Sequence, residues 1–149
     1  MSKIRVLVVD DSMTIRAMIA SIFEADRDID LVGLADSAEE AEEILRNDLV
    51  DVVTLDINMP GMNGLEFLSN LQSWNDKPVI ILSGLSSRGS EERLQALHLG
   101  AVACFNKANA IKEAPRLIKL IKDAANHKLK PDLEDQQALA AWEALAHVG

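Results

Sequence analysis

The sequence predicts an α/β fold: a doubly wound, five-stranded parallel sheet with five helices, plus an extra C-terminal helix. Short runs rich in Val, Ile and Leu alternate five times with stretches of helical hydrophobic spacing. The connections between them are short, which favours right-handed crossovers and a sheet covered on both faces. After the fifth such helix the composition changes, and one more helical pattern follows.

The apolar runs are short and almost uninterrupted, which is typical of parallel strands buried on both faces. Asp10 and Asp11 follow the first run, Asp56 follows the third, and Ser83 ends the fourth. Because ligand sites of open parallel sheets lie at the carboxyl ends of strands, these side chains are expected at one edge. The predicted strands span residues 3–9, 30–34, 51–55, 78–83 and 102–105.

End signals place the first three helices. The first has apolar residues on one face and begins at Ser12 or Thr14, both of which are residue types that cap helix N-termini. Ser37, with a glutamate three residues later, has the spacing of a capping box and begins the second. The third follows Gly64.

A glycine marks the end of the fourth helix, and a proline limits where the fifth can begin. Gly100 ends the fourth, since glycine is favoured just beyond a helix C-terminus. In the fifth, apolar spacing begins at Ile111, but Pro115 is tolerated only in a first turn. Two alternatives follow: the helix begins near Ala114, or it is kinked there.

Composition narrows the class of protein. The chain has 149 residues, about one domain, which leaves no room for a second catalytic domain. A formal net charge of −9 argues against direct nucleic-acid binding. Cys104 is the single cysteine, so neither an intrachain disulfide nor a cysteine metal site is expected. There is no long apolar segment, so we expect no membrane insertion and a cytoplasmic location.

Four spaced elements identify a family: VVDDS at 8–12, LDINMPGMNG at 55–64, LS at 82–83, and Lys107. Together they resemble the receiver domain of two-component response regulators, over roughly residues 3–125. The stretches SGLSSRGSE at 83–91 and ALHLGAV at 96–102 look most like the receiver half of chemotaxis methylesterases. The resemblance implies strand order 2-1-3-4-5, a receiver domain at 1–126 and a C-terminal extension at 127–149.

The resemblance also implies a role for each polar residue. Asp56 is the phosphoacceptor, and Mg²⁺ is held by Asp10, Asp11, Asp56 and the backbone carbonyl of Asn58. These are the oxygen ligands that this hard cation prefers. Ser83 and Lys107 contact the phosphoryl group, whose transition state spreads charge over its oxygens. Taken singly, each aspartate could instead cap a helix.

The sequence departs from the family pattern in the part that reads out phosphorylation. Receivers commonly have proline after the lysine, where Ala108 stands, and an aromatic residue three positions before it, where Cys104 stands. Because side chains alternate along a strand, Phe105 is expected on the opposite face from Cys104 and does not substitute for that aromatic residue. The usual coupling between the hydroxyl group and an aromatic side chain is then either lost or made by a smaller group.

The expected function is a stand-alone signalling protein and not an enzyme. A histidine kinase or phosphotransfer protein donates the phosphoryl group, and a downstream protein binds the face formed by the fourth helix, fifth strand and fifth helix. The alternative is a small aspartyl-phosphate phosphatase of haloacid-dehalogenase type, disfavoured because Asn58 stands where a second acid is needed. A nucleotide-binding domain lacks its glycine-rich loop after the first strand.

The C-terminal extension leaves three interpretations open. Leu139 and Trp142 lie on one side of the predicted helix, with acidic residues in its first turn. This side could dock on the sheet domain, form a partner or dimer surface, or begin a linker to an effector.

Overall fold

A computed structural model describes residues 3–59, 63–84, 91–129 and 132–147, and it confirms the predicted architecture. The sheet is five-stranded and parallel, in the order β2-β1-β3-β4-β5. The strands are β1 Ile4–Val9, β2 Ile29–Ala35, β3 Val52–Leu55, β4 Val79–Ser83 and β5 Ala103–Asn106. The helices are α1 Met13–Glu24, α2 Ala38–Asn47, α3 Gly64–Gln72, α4 Glu91–His98, α5 Ala114–Ala125 and α6 Leu133–Trp142.

Helices cover both faces of the sheet. One face packs against α2, α3 and α4 and receives Leu7 and Leu55, among other strand residues. The other packs against α1 and α5 and receives Val6 and Val8. Alternate residues of each strand point to opposite faces, so both faces are apolar and the polar residues collect at the strand ends.

The helix ends follow the predicted signals. Ser12, and not Thr14, caps α1, since its side chain accepts a hydrogen bond from the Ile15 N–H. Ser37 caps α2 in the same way. α4 ends at His98, and Gly100 follows two residues later with a φ of 108°, in the region that favours glycine. Of the two alternatives for the fifth helix, the structure has the first: α5 begins at Ala114, with Pro115 in its first turn.

Gly64 brings the start of α3 against the end of β3. A Cβ atom at this position would collide with the backbone of Ile57, so the absent side chain allows a close approach of two backbone segments. Ile57 directly follows Asp56, and this contact therefore fixes the chain beside the predicted phosphoacceptor.

The extra helix α6 docks on the sheet domain alongside α4. The Arg93 guanidinium in α4 forms two hydrogen bonds with the Asp135 carboxylate in α6, and Leu139 packs against the core beneath α2, α3 and α4. Docking is thus the interpretation that the structure supports among the three left open. Of the helices described, none combines the length and the apolar character needed to span a membrane.

Candidate functional site

Asp56 lies at the carboxyl end of β3, the central strand of the sheet. Its backbone N–H donates to the Val9 carbonyl, which extends the pairing of β1 and β3 by one residue. The side chain is only 2% exposed, and its Oδ1 accepts a hydrogen bond of 2.9 Å from the Asn58 N–H. The sheet therefore holds this carboxylate in a fixed position at its edge.

Asp10 and Asp11 follow the neighbouring strand, β1. The Asp10 carboxylate is 2% exposed and accepts the Ser12 N–H at 2.8 Å, whereas Asp11 is exposed. One carboxylate oxygen from each of Asp10, Asp11 and Asp56 lies within 4.8 Å of the others. The three predicted acids thus form one cluster.

Lys107 reaches this cluster from the end of β5. Its Nζ donates to Asp56 Oδ2 at 2.8 Å and to Asp10 Oδ2 at 3.2 Å, and its side chain is 20% exposed. Lys107 begins a short 3₁₀ helix, Lys107–Asn109, which the Asn106 side chain caps. This local turn directs the lysine without proline at position 108.

Burial and neighbouring charges shift the pKa values of two groups in the cluster, Asp10 and Lys107. Burial raises the pKa of Asp10, with the negative charge of Asp56 adding to it, although the Ser12 N–H and Lys107 oppose the rise. Because the folded state then binds the proton more tightly than the unfolded state, ionising Asp10 costs stability as pH rises through this raised pKa. Burial lowers the pKa of Lys107, but the hydrogen bonds and charges of Asp56 and Asp10 outweigh burial and raise it.

The cluster fits a divalent cation. Three carboxylates so close together repel one another, and one ammonium group compensates only part of their charge. All three offer oxygen, the donor that Mg²⁺ prefers, and the exposed Asp11 leaves the cluster accessible to solvent. The fourth predicted ligand, the carbonyl of Asn58, belongs to a residue whose N–H already contacts Asp56.

The remaining predicted features are only partly described. Ser83 ends β4 beside Asn106 of β5, but its side chain lies outside what the structure describes, as do residues 60–62 and 85–90. Cys104 packs on the face beneath α2, α3 and α4, and Phe105 packs on the opposite face, as strand alternation predicts. Phe105 therefore does not supply the aromatic side chain that position 104 lacks.

Two side-chain interactions were not predicted from the sequence. The Arg16 guanidinium, one turn into α1, donates to the Asp10 carbonyl at 2.8 Å and so supports the loop that carries two acids. The position of Arg16 soon after Asp10 and Asp11 in the sequence could have indicated this contact. The buried Arg93–Asp135 pair joins residues 42 apart in sequence, and no local spacing indicates such a pair.

The known proteins that this chain resembles agree with the geometry of the site. The family model for the response regulator receiver domain matches residues 6–121. A protein-glutamate methylesterase/protein-glutamine glutaminase of Caulobacter vibrioides is 42% identical over 134 residues, which cover 87% of this chain and 39% of that relative. The chain thus spans well under half the length of this relative.

Two solved structures share the fold. The response regulator domain of Thermotoga maritima CheB superposes with a TM-score of 0.78 at 35% identity, covering 83% of this chain and 97% of that domain. The second is the P1 domain of CheA3 in complex with CheY6 from R. sphaeroides. Its matching chain superposes with a TM-score of 0.70 at 29% identity. The match covers 83% of this chain and 98% of that one.

These relatives correct one expectation. The sequence analysis placed the chain among non-enzymes, and this is wrong, because the curated relatives are methylesterases and glutaminases. The predicted likeness to the receiver half of chemotaxis methylesterases is confirmed, but the matched residues are those of the receiver part, so they did not lead to the enzyme class of the whole relatives. The phosphatase alternative gains no support, since the family match is to receivers.

Proposed function

Because the chain belongs to the response regulator receiver domain family, we propose that it accepts a phosphoryl group on Asp56 from a histidine kinase or phosphotransfer protein. The observation that supports this most is the placement of Asp56. It is a buried carboxylate at the end of the central strand, hydrogen-bonded to Lys107 and clustered with two further acids. A strand-end aspartate that only capped a helix would need neither neighbour.

The proposed reaction is a displacement at phosphorus. An Asp56 carboxylate oxygen forms the new O–P bond as the P–N bond of the donor phosphohistidine breaks, and the electron pair stays with the imidazole. Lys107 lies 2.8 Å from the attacking carboxylate, so its ammonium is already near the charge that the arriving phosphoryl oxygens bring. Ser83, at the end of the adjacent strand, is proposed to donate its hydroxyl to one of those oxygens.

We propose Asp10, Asp11, Asp56 and the Asn58 carbonyl as the residues that hold Mg²⁺. The bound ion would neutralise the carboxylates and the phosphoryl oxygens that approach them. Asp11 is the exposed member and the natural entry point, whereas Asp10 is fixed by the Ser12 N–H.

The output of the modification is proposed to be altered protein contact through α4, β5 and α5. In the relatives further chain accompanies the matched part, so this contact is made either with another part of the same polypeptide or with a separate protein. The division into a receiver at 1–126 and an extension at 127–149, and a cytoplasmic location, remain predictions. A dimer through the extension also remains a prediction.

Intact-mass analysis tests the proposed function. Incubation with acetyl phosphate and Mg²⁺ is expected to add the mass of one phosphoryl group, and the added mass should be lost again on standing, because acyl phosphates hydrolyse. Omitting Mg²⁺ should prevent most of the gain. An unchanged mass in the presence of donor and Mg²⁺ would refute the proposal.

The Mg²⁺ ligands are tested by Asp11→Asn. We expect Mg²⁺ affinity to fall about tenfold or more, because one of the negatively charged ligands is lost. Calorimetric titration measures the affinity, and the Mg²⁺-dependent rise in melting temperature should shrink with it. Without Mg²⁺ the variant should be at least as stable as the original, since one repulsive charge is gone.

Asp76→Asn is the matched control for this titration. Asp76 precedes β4 at the opposite edge of the sheet, and its side chain is 92% exposed. It removes the same charge without touching the cluster, so it should leave Mg²⁺ affinity unchanged. Equal losses in the two variants would show that overall charge, and not ligation by Asp11, determines binding.

A further inference from the structure

The helix α6 is held on α4 by a contact of unusual composition. Arg93 Nε and Nη2 donate to Asp135 Oδ1 and Oδ2 at 3.0 and 2.8 Å, and the two residues are 8% and 3% exposed. Among the residues of α6 that the structure describes, Asp135 is the only buried one. The centre of this interface is therefore an ion pair and not an apolar cluster.

The apolar part of the interface is small. Leu139 is partly buried against the core, and the Trp142 ring lies 5.4 Å from the ring of His98. Leu133 and Leu145, in contrast, are 67% and 80% exposed. Because hydrophobic burial is the main force that fixes a helix on a domain, α6 has little of what would make its docking permanent.

A buried ion pair also gives up much of its attraction to desolvation. When α6 leaves, Arg93 and Asp135 regain water, so the pair itself adds little net free energy to docking, and the rest comes from Leu139, Trp142 and the 2.6 Å contact between His98 Nδ1 and Glu143 Oε2. Removing one partner is different, because the other charge then stays buried without compensation. The contact is thus suited to a switch between two states.

The third relevant residue is Cys104 in β5, which is 7% exposed and belongs to the apolar cluster against which Leu139 of α6 packs. Burial raises its pKa to about 11, with the Arg93 charge lowering it and the Asp135 charge raising it. Cys104 lies three residues before Lys107, which contacts Asp56. One short strand therefore connects the acidic cluster to the surface that α6 covers.

We propose that α6 is a detachable cover of the α4–β5 edge, held by the Arg93–Asp135 pair, and that its release exposes this edge to a protein segment of the same chemistry. That segment presents a carboxylate to Arg93 beside an apolar side chain, as α6 itself does with Asp135 and Leu139. In this view α6 is an internal competitor for the surface through which the domain makes contact.

Phosphorylation is proposed to favour release, a step that rests on the proposed function above. Lys107 must leave its present bonds with Asp10 and Asp56 to follow phosphoryl oxygens, and this movement shifts the end of β5. A two-pronged ion pair tolerates displacement poorly, and close-packed interiors transmit it. Movement of β5 beneath the pair therefore weakens the docked state.

Cys104 is the single cysteine of the chain and reports on the cover directly. The experiment measures the rate at which an aromatic disulfide reagent labels the full-length protein at mildly alkaline pH. Release of α6 would expose the thiol and lower its pKa toward the ordinary value, and both changes speed labelling. Asp135→Asn is expected to label about tenfold faster or more, because it leaves Arg93 without its charged partner.

Two further variants separate this effect from general loosening. Asp76→Asn removes an exposed carboxylate far from α6 and should label at the original rate. The double variant Arg93→Met with Asp135→Leu replaces the pair by apolar side chains, which commonly preserve such contacts, and should label as slowly as the original. Circular dichroism checks that each variant is folded. Equal rates for Asp135→Asn and the original protein would overturn the cover.

The phosphorylation step is tested on the original protein with acetyl phosphate and Mg²⁺, with intact mass read on the same sample. Faster labelling of the phosphorylated protein supports the link, and the apolar double variant should lose most of this acceleration. Phosphoryl gain with an unchanged labelling rate would overturn the link while leaving the proposed function intact. Absence of phosphoryl gain would overturn the proposed function and the link together, and the Asp135→Asn rate would still decide the cover.

Discussion

Asp56→Asn is expected to abolish uptake of a phosphoryl group from acetyl phosphate, because an amide oxygen is far too weak a nucleophile to replace the carboxylate. The variant should remain folded. Asparagine has nearly the same shape, and its side-chain oxygen can still accept the Asn58 N–H or the Lys107 ammonium. Intact mass after incubation with donor and Mg²⁺ measures the effect.

The control for this variant is Asp48→Asn. Asp48 directly follows α2 and is exposed. Its substitution therefore removes one carboxylate without disturbing the acidic cluster. It should gain one phosphoryl group as the original protein does. A phosphoryl gain that persists in Asp56→Asn would place the nucleophile at another residue.

Lys107→Met is expected to slow phosphorylation by about a hundredfold or more, a typical cost of losing one positioned donor to a transition-state oxygen. It also leaves Asp10 and Asp56, both 2% exposed, without their ammonium partner. Without Mg²⁺ the variant should therefore be less stable, and Mg²⁺ should restore part of that stability. The rate of phosphoryl gain and the melting temperature with and without Mg²⁺ measure the two effects.

Lys119→Met provides the comparison. Lys119 lies on α5 with its side chain 75% exposed, and it pairs with Asp123 on the same helix. Its loss removes the same charge from the chain and should change neither the rate nor the response to Mg²⁺. A Lys107→Met rate within twofold of the original would show that the ammonium does not act on the transferred group.

Rising pH should weaken both sides of the Lys107 contact, because the pKa values of Lys107 and Asp10 are both raised in the folded state. The raised pKa of Lys107 means that its stabilising contribution is present below the ordinary lysine value and is lost as pH rises through the raised one. Asp10, whose pKa is also raised, opposes folding once it ionises. Both contributions therefore fall as pH rises, and bound Mg²⁺ would remove the Asp10 penalty.

Much of the fold could be predicted because its signals are local. The strands appear as short apolar runs, and Ser12, Ser37 and Gly100 mark helix ends through interactions within one turn. The acidic cluster was also predictable, because residues that end neighbouring parallel strands must meet at one edge. Topology alone brings Asp10 and Asp56 together.

The docking of α6 could not be predicted in the same way. Arg93 and Asp135 are separated by 42 positions, and either residue by itself is typical of a solvated helix face. Their pairing depends on the path of the chain after α5, which no spacing specifies. The likeness to the receiver half of chemotaxis methylesterases was predicted from residues 83–91 and 96–102 and is confirmed, whereas the enzyme class was not predicted, since the matched residues are those of a receiver.

Mapping the phosphorylated residue decides whether Asp56 is the phosphoacceptor. Protein phosphorylated with acetyl phosphate and Mg²⁺ is treated with borohydride, which reduces an acyl phosphate to the corresponding alcohol, and the digested peptides are sequenced by mass spectrometry. We expect homoserine at position 56 and release of phosphate by hydroxylamine. Homoserine in place of another aspartate would contradict the assignment of Asp56 as the phosphoacceptor. So would a phosphate group that resists hydroxylamine, because serine and threonine phosphate esters do so.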